Sequence, residues 1–155
     1  MTDLQRAANS ELLIRSIEPR DASEVSALAR QLGYERRPDQ VATWIEALSN
    51  RAEQQSAFVA CVNEEVVGWI EISIECRLQS APCALIGGLV VKEGFRGQRI
   101  GLQLCDRAEA WSWERGVPII RVTSRSTRAD AHRFYENNGY SLIKLSHIYE
   151  KTRSH

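Results

Sequence analysis

An excess of charge of either sign is missing from this 155-residue chain: 20 basic side chains offset 20 acidic ones, and the formal net charge is zero. That balance gives no support to a nucleic-acid or anionic-membrane partner, since such binders usually carry a basic excess, and neither is expected. Nothing approaches 18 consecutive apolar residues, so no membrane span is read from hydropathy. The first apolar cluster, residues 12–14, is short and follows polar residues. No secretory leader is therefore read, and the expected location is the cytoplasm. The four cysteines, Cys61, Cys76, Cys83 and Cys105, make no C-x-x-C pair. No His, Asp or Glu cluster has ligand spacing, so no metal is expected. The thiols read as small buried groups in a reducing cell. Cys105, one turn into a helix where a thiol pKa can fall, is the candidate for a reactive role. Repeats, low-complexity tracts and linkers are also missing. The length suits one domain over 1–155, with residues 1–10 loose.

What is present centres on residues 85–101, LIGGLVVKEGFRGQRIG. An apolar run ends in a loop carrying Gly94, Gly97, Gly101, Arg96 and Arg99, and a helix starts at about Gly101. Glycine lets backbone N–H groups converge on an anion. The positive end of the helix points to the same place, and guanidiniums add paired bonds to phosphate oxygens. The stretch reads as a strand–loop–helix grip on a phosphate-bearing ligand, with an ordinary surface turn as the alternative. A P-loop is excluded, because Ile100, Gly101 and Leu102 stand where Gly-Lys-Ser/Thr is needed, and no G-x-G-x-x-G spacing occurs.

Around this stretch the chain alternates strands and helices. A strand is expected over 11–19. Asp21 reads as an N-cap with Glu24 as its capping-box partner, opening a helix through Val25, Leu28, Ala29 and Leu32 to Gly33. Pro38 opens a second helix with Val41, Trp44, Ile45 and Leu48 on its apolar face. Strands at 57–62 and 66–76 form a hairpin around Asn63-Glu64-Glu65. In the second strand, period two sets Ile70, Ile72 and Ile74 against a face of Trp69, Glu71, Ser73 and Glu75. That face suits a cationic amine or is a solvated sheet face. Residues 79–83 read as a turn. The central strand, 84–91, contains Gly87-Gly88, a pair that marks a bulge or the close approach of another molecule. A helix over 101–115 buries Leu104, Cys105, Ala108 and Trp111. A strand at 118–124, a helix at 129–138 and two strands, 140–145 and 147–152, complete the chain.

The run Arg96-Gly97-Gln98-Arg99-Ile100-Gly101 resembles the Q/R-x-x-G-x-G/A acetyl-CoA loop of the GNAT family, the Gcn5-related N-acetyltransferases. The preceding Leu89-Val90-Val91 and the later run 131–140, AHRFYENNGY, are similar to the same family's pattern. Arg99 departs from it, standing at the inner glycine position. The resemblance implies an α/β (α+β) fold: a mixed, mostly antiparallel sheet of six or seven strands flanked by four helices. It implies an N-acetyltransferase moving acetyl directly from acetyl-CoA to a primary amine, with a small-molecule acceptor expected. The alternatives are a protein N-terminal or lysine acetyltransferase, or a non-catalytic acyl-CoA-binding module. Homodimers are common in the family, which leaves a homodimer open.

The same resemblance assigns the cosubstrate to Leu89, Val90, Val91, Arg96, Gly97, Gln98, Arg99, Ile100, Gly101, Leu102, Ser124 and Tyr135. The N–H near Leu89 would polarise the thioester carbonyl, and the central strand would splay to admit the pantetheine arm. It places residues 34–37 as an acceptor-facing loop, a plain connector being the alternative. Tyr135 is expected to protonate the leaving thiolate, a phenol of pKa about 10 being protonated at neutral pH; the other reading is a packed tyrosine. Arg125 stands where the family often has asparagine, beside Ser124. Many members carry a glutamate on the central strand where this chain has Gly87. Glu71 and Glu75 on the neighbouring strand are the substitute bases. His132 reads as a surface or capping residue, or else as a further base.

Overall fold

The computed structural model describes residues 11–155. The expected looseness of residues 1–10 lies outside the described residues. The chain forms two compact units that divide after Val122. In the first, one sheet carries five strands in sequence order: β1 (Leu12–Ser16), β2 (Gln55–Val62), β3 (Glu65–Arg77), β4 (Ser80–Val91) and β5 (Ile120–Val122). The first four are antiparallel neighbours, and β5 runs parallel to β4. Helices α1 (Ala22–Ala29) and α2 (Pro38–Ala47) precede β2, and α3 (Ile100–Glu114) joins β4 to β5. The second unit holds α4 (Ala129–Asn137). Among the described residues no helix is long and apolar enough to cross a membrane.

The expected class therefore holds, with five strands in place of six or seven. Residues 140–145 and 147–152 make no ladder. Leu142, Ile143, Leu145, Ile148 and Tyr149 are exposed there. Their composition favours a strand, but a strand exists only where another backbone takes its N–H and C=O groups.

Period two places the core. Phe58, Ile70, Ile72 and Ile86 point to one face of the sheet and are at most 2% exposed. The stripe of α3, Leu104, Cys105, Ala108 and Trp111, is buried as well. The opposite face packs Val59, Cys61, Val66 and Val90 against Val25 and Leu28 of α1, with Trp69 and Val41 at the margin. Each large side chain so buried is worth about 2 kcal/mol.

Several local expectations change for physical reasons. The β2–β3 hairpin turns on two residues, Asn63 (φ 50°) and Glu64 (φ 68°), and Glu65 already pairs with Val62. The β3–β4 strands run further than expected and turn at Leu78-Gln79, so Pro82 lies inside β4 beside a register shift. Asp21 does not cap α1 with its side chain. The chain enters through a 3-10 turn, Pro19–Asp21, which Glu18 caps, and the Glu18 N–H donates to Asp21 Oδ2 at 2.8 Å. Asp21, 3% exposed, also accepts both Arg15 guanidinium bonds at 2.8 Å. Glu24 accepts from the Val66 N–H at 2.8 Å instead, tying α1 to the start of β3.

Burial alone would raise the Asp21 pKa, but the Arg15 bonds and the Glu18 N–H overcome it and hold the carboxyl below its ordinary value. The stabilisation from this ionised carboxylate is thus present above the unfolded-state pKa and is lost as pH falls through the folded one. Asp21→Asn is expected to cost about 3 kcal/mol near neutrality, by urea denaturation, because it strands Arg15. The gap to the native protein should narrow below about pH 4.

Candidate active site

The site begins where the sheet stops being a sheet. β5 pairs with β4 only over Ala84, Ile86 and the residue between them. From Gly87 to Val91, β4 has β3 on one side and no strand among the described residues on the other. The register explains the break: Ile72 opposes Ile86 and Glu71 opposes Gly88, leaving Gly87 as an extra, bulged residue. The Lys92 N–H donates to Val67 O at 2.7 Å. Strand alternation from that bond points the Leu89 and Val91 N–H groups away from β3, into the opening. Leu89, Val90 and Val91 thus lie on the stretch of β4 that no strand among the described residues pairs on that side, where the sequence reading expects a splay.

The glycine pair has a second cause. A Cβ on Gly87 would lie 2.8 Å from Glu71 Oε1, and one on Gly88 would lie 2.8 Å from Trp69 Cζ3. The close approach is made by side chains of β3 that lean across β4. Glu71 therefore occupies the space over the central strand where a residue-87 side chain would stand. Its pKa is raised by burial, against the opposing charge of Arg36. A carboxylic acid so placed titrates nearer neutrality, as a general base requires. Ser26 of α1 donates to the Arg36 carbonyl, holding loop 34–37 against the helix that packs on the Trp69 face. Glu75 lies further along, accepting from Ser73 Oγ at 3.5 Å and facing Arg77 Nη2 at 3.8 Å.

Beyond Val91 the loop delivers α3. Gly97 has φ 82°, and Arg99, the N-cap, has φ 60°. Arg99 therefore pays the cost that the glycine of the family pattern avoids, and its side chain is exposed as expected. No side chain caps α3, and its first turn holds no acid. The N–H groups of that turn remain open to an anion. Arg96 and Arg99 make no ion pair or side-chain hydrogen bond among the described residues. Exposed Gln98 lies between them, Ile100 is buried, and Gly101 and Leu102 lie in the first turn. One positioning residue escaped the sequence reading. Gln31 donates through Nε2 to Val91 O at 3.1 Å and accepts from the Glu93 N–H at 3.2 Å. It clips the root of the loop to the 3-10 turn that follows α1, from 60 residues away, and no local pattern signals that.

Cys105 loses its reactive reading. It is fully buried in α3, and burial pushes its thiol up to about 12. Cys76, expected to be buried, is exposed. In the second unit, Tyr135 of α4 sits edge-on to Phe134 and Tyr140. His132 Nε2 bonds the Arg125 carbonyl at 2.8 Å, a tie within the second unit. The Ser124 hydroxyl is buried without a hydrogen-bond partner.

Known proteins carry the same pattern. The acetyltransferase (GNAT) family profile matches residues 21–140. An aminoalkylphosphonate N-acetyltransferase of Salmonella typhimurium is 39% identical over 91 residues, covering 58% of this chain and 57% of that protein. The match thus spans little more than half the length of the curated relative. The solved aminoglycoside N-acetyltransferase AAC(6')-Iy in complex with CoA superposes with a TM-score of 0.81 at 18% identity, covering 92% of this chain and 96% of that one. A ribosomal-protein-alanine N-acetyltransferase of Brucella melitensis biovar Abortus 2308 gives 0.72 at 20% identity, covering 92% and 100%. At such identities the structures share a fold and say nothing of the acceptor.

The loop backbone makes a direct prediction. Arg99→Gly should raise stability by about 1 kcal/mol and Gly97→Ala should lower it by about the same, read from urea midpoints at constant m.

Proposed function

The chain belongs to the acetyltransferase (GNAT) family, and from that premise we propose that it is an acetyl-CoA-dependent N-acetyltransferase that transfers acetyl directly to the primary amine of a small molecule. The observation that carries the reading is the unpaired side of β4 over Gly87–Val91, continuous in sequence with an uncapped helix start. A thioester arm needs a slot lined by backbone donors, and a diphosphate needs convergent N–H groups. Here the N–H groups from Arg96 to Gly101, with Leu102 behind them in the first turn of α3, take the diphosphate. Leu89, Val90 and Val91 bind the arm, and the Leu89 N–H stabilises the oxyanion as it forms. Ser124 contacts the cosubstrate in the reading that the family pattern gives.

Glu71 takes a proton from the acceptor's ammonium, directly or through water, so that the neutral amine attacks the thioester carbonyl, and Glu75 helps hold the cation near β3 before it is deprotonated. Tyr135 protonates the leaving thiolate, as the family pattern assigns. The carboxylate missing at Gly87 is replaced in space by one from the adjacent strand. The relative's name supports an acceptor joining an amine to an anion, and Arg36 near Glu71 suits such a molecule.

The test is amine-dependent thiol release from acetyl-CoA, with 2-aminoethylphosphonate, an aminoglycoside and a peptide with a free N-terminal alanine as acceptors. Turnover of either small amine supports the proposal. Turnover of the peptide alone transfers the activity to protein acetylation, and no turnover with any amine leaves a binding module. Glu71→Gln is expected to lower kcat/KM about a hundredfold or more. The native acid limb should lie above 4.5, the ordinary value for this carboxyl, and vanish in the variant. Adding Gly87→Glu to Glu71→Ala should recover at least about tenfold of the lost rate, since the new carboxylate enters the vacated space. Tyr135→Phe should lower kcat by about tenfold or more.

A further inference from the structure

The face of the sheet that carries Glu71 extends across β4 to β5. Residues directly opposite one another in a sheet point to the same side. Ser73 opposes Leu85, and Leu85 opposes Arg121 of β5. The next row, Ile72, Ile86 and Val122, points the other way, and Ile72 and Ile86 are buried in the core there. Arg121 therefore shares the side of the sheet that carries Trp69, Glu71, Ser73 and Glu75. Ser73, Leu85 and Arg121 are all half-buried, and Gly87 is exposed.

Arg121 makes no hydrogen bond and no ion pair among the described residues. Its Nε is enclosed without an acceptor, whereas its two Nη groups are not enclosed. A half-buried guanidinium that no protein oxygen meets is costly unless an anion reaches it, and the Nη groups are the part a ligand can reach. The register also sets the spacing. One strand across and two residues along place the Arg121 Cα about 8 Å from the Gly87 Cα. A long side chain spans such a diagonal. A Cβ on Gly87 would lie 2.8 Å from Glu71 Oε1, so the Glu71 carboxylate stands over Gly87. Glu71 and Arg121 are thus neighbours across β4 that do not pair, and the two ends of a short acceptor can meet the two charges. Arg36 differs. It is exposed on loop 34–37, and its charge holds the Glu71 carboxyl down against the effect of burial.

We propose that Arg121 determines acceptor specificity by holding the anionic group, phosphonate or carboxylate, of a short aminoalkyl acid whose amine lies at Glu71. The paired Nη donors take two oxygens of either anion. Arg121 anchors one end of the acceptor, and Glu71 takes the proton from the other. The inference rests on the acetyltransferase reading for its chemistry, but the binding step needs no turnover.

2-Aminoethylphosphonate, β-alanine and the uncharged β-alaninamide are compared in the thiol-release assay and titrated calorimetrically into the full chain with saturating CoA. The native protein should bind at least one of the acids and turn it over with a kcat/KM about tenfold or more above that of the amide. Which acid is preferred distinguishes a phosphonate from a carboxylate acceptor. Arg121→Gln should weaken that acid about tenfold or more, through KM rather than kcat, and leave the amide within twofold. Arg121→Lys, which keeps a point charge and loses the fork, should recover part of the loss. The lysine variant decides the matter if Arg121→Gln lowers the melting temperature: it should still bind the acid more weakly than the native protein does and the amide equally well. Arg36→Gln should keep the preference for the acid. An equal loss on acid and amide in the Arg121 variants overturns the proposal. So does a preference that disappears with Arg36→Gln and survives Arg121→Gln, or native protein that saturates with neither acid up to about 10 mM. Acid binding that Arg121→Gln weakens, without turnover of any amine, keeps Arg121 as the anion site and removes the acetyltransferase reading, so the two fail separately.

Discussion

The β4–β5 ladder ends after three residue pairs, and the chemistry available to this chain depends on that ending. A parallel neighbour running the full length of β4 would satisfy every backbone group on that side. Instead the bulge at Gly87 turns the strand, and the N–H groups of Leu89 and Val91 face an opening. The next residues fold into a loop whose left-handed positions, Gly94, Gly97 and Arg99, bring the uncapped start of α3 to the end of the same strand. The backbone slot and the backbone anion cradle that we propose would thus come from one continuous segment, with little demand on particular side chains. That economy explains how so short a chain can hold so large a cosubstrate as the one proposed.

Side chains enter where the backbone cannot serve. Glu71 is held over Gly87 in partial burial, a position that costs stability when it is ionised. The surrounding structure must therefore be firm. Arg15 and Asp21 supply part of that firmness by locking the end of β1 to the turn that launches α1. Glu24 then ties α1 to β3, and Gln31 ties its far end to Val91. The helix that covers the Glu71 face is fixed by polar bonds at both ends and by apolar packing along its length.

Much of this was legible from residue order. The Gly/Arg loop, the Gly87-Gly88 bulge, the alternation that sets Glu71 and Trp69 on one face, and four helices all follow from local pattern. What could not be read depends on partners distant in sequence. Asp21 looks like a cap until Arg15 competes for it. The strands expected at 140–152 have strand composition and no ladder. Cys105 lies in the first turns of α3, where the dipole would lower its pKa, yet the sheet that buries it raises it. The place of Arg121 is equally invisible, since only two strand registers set it on the Glu71 face.

The measurement that bears most directly on this account is calorimetric titration of acetyl-CoA into the native protein and into the double variant Arg96→Ala, Gly97→Glu. The account predicts micromolar binding by the native chain and none by the variant, which fills the loop with a carboxylate and removes one guanidinium. Native protein that fails to bind acetyl-CoA, or a folded variant that binds equally well, would contradict the assignment of the gap and loop to the thioester cosubstrate.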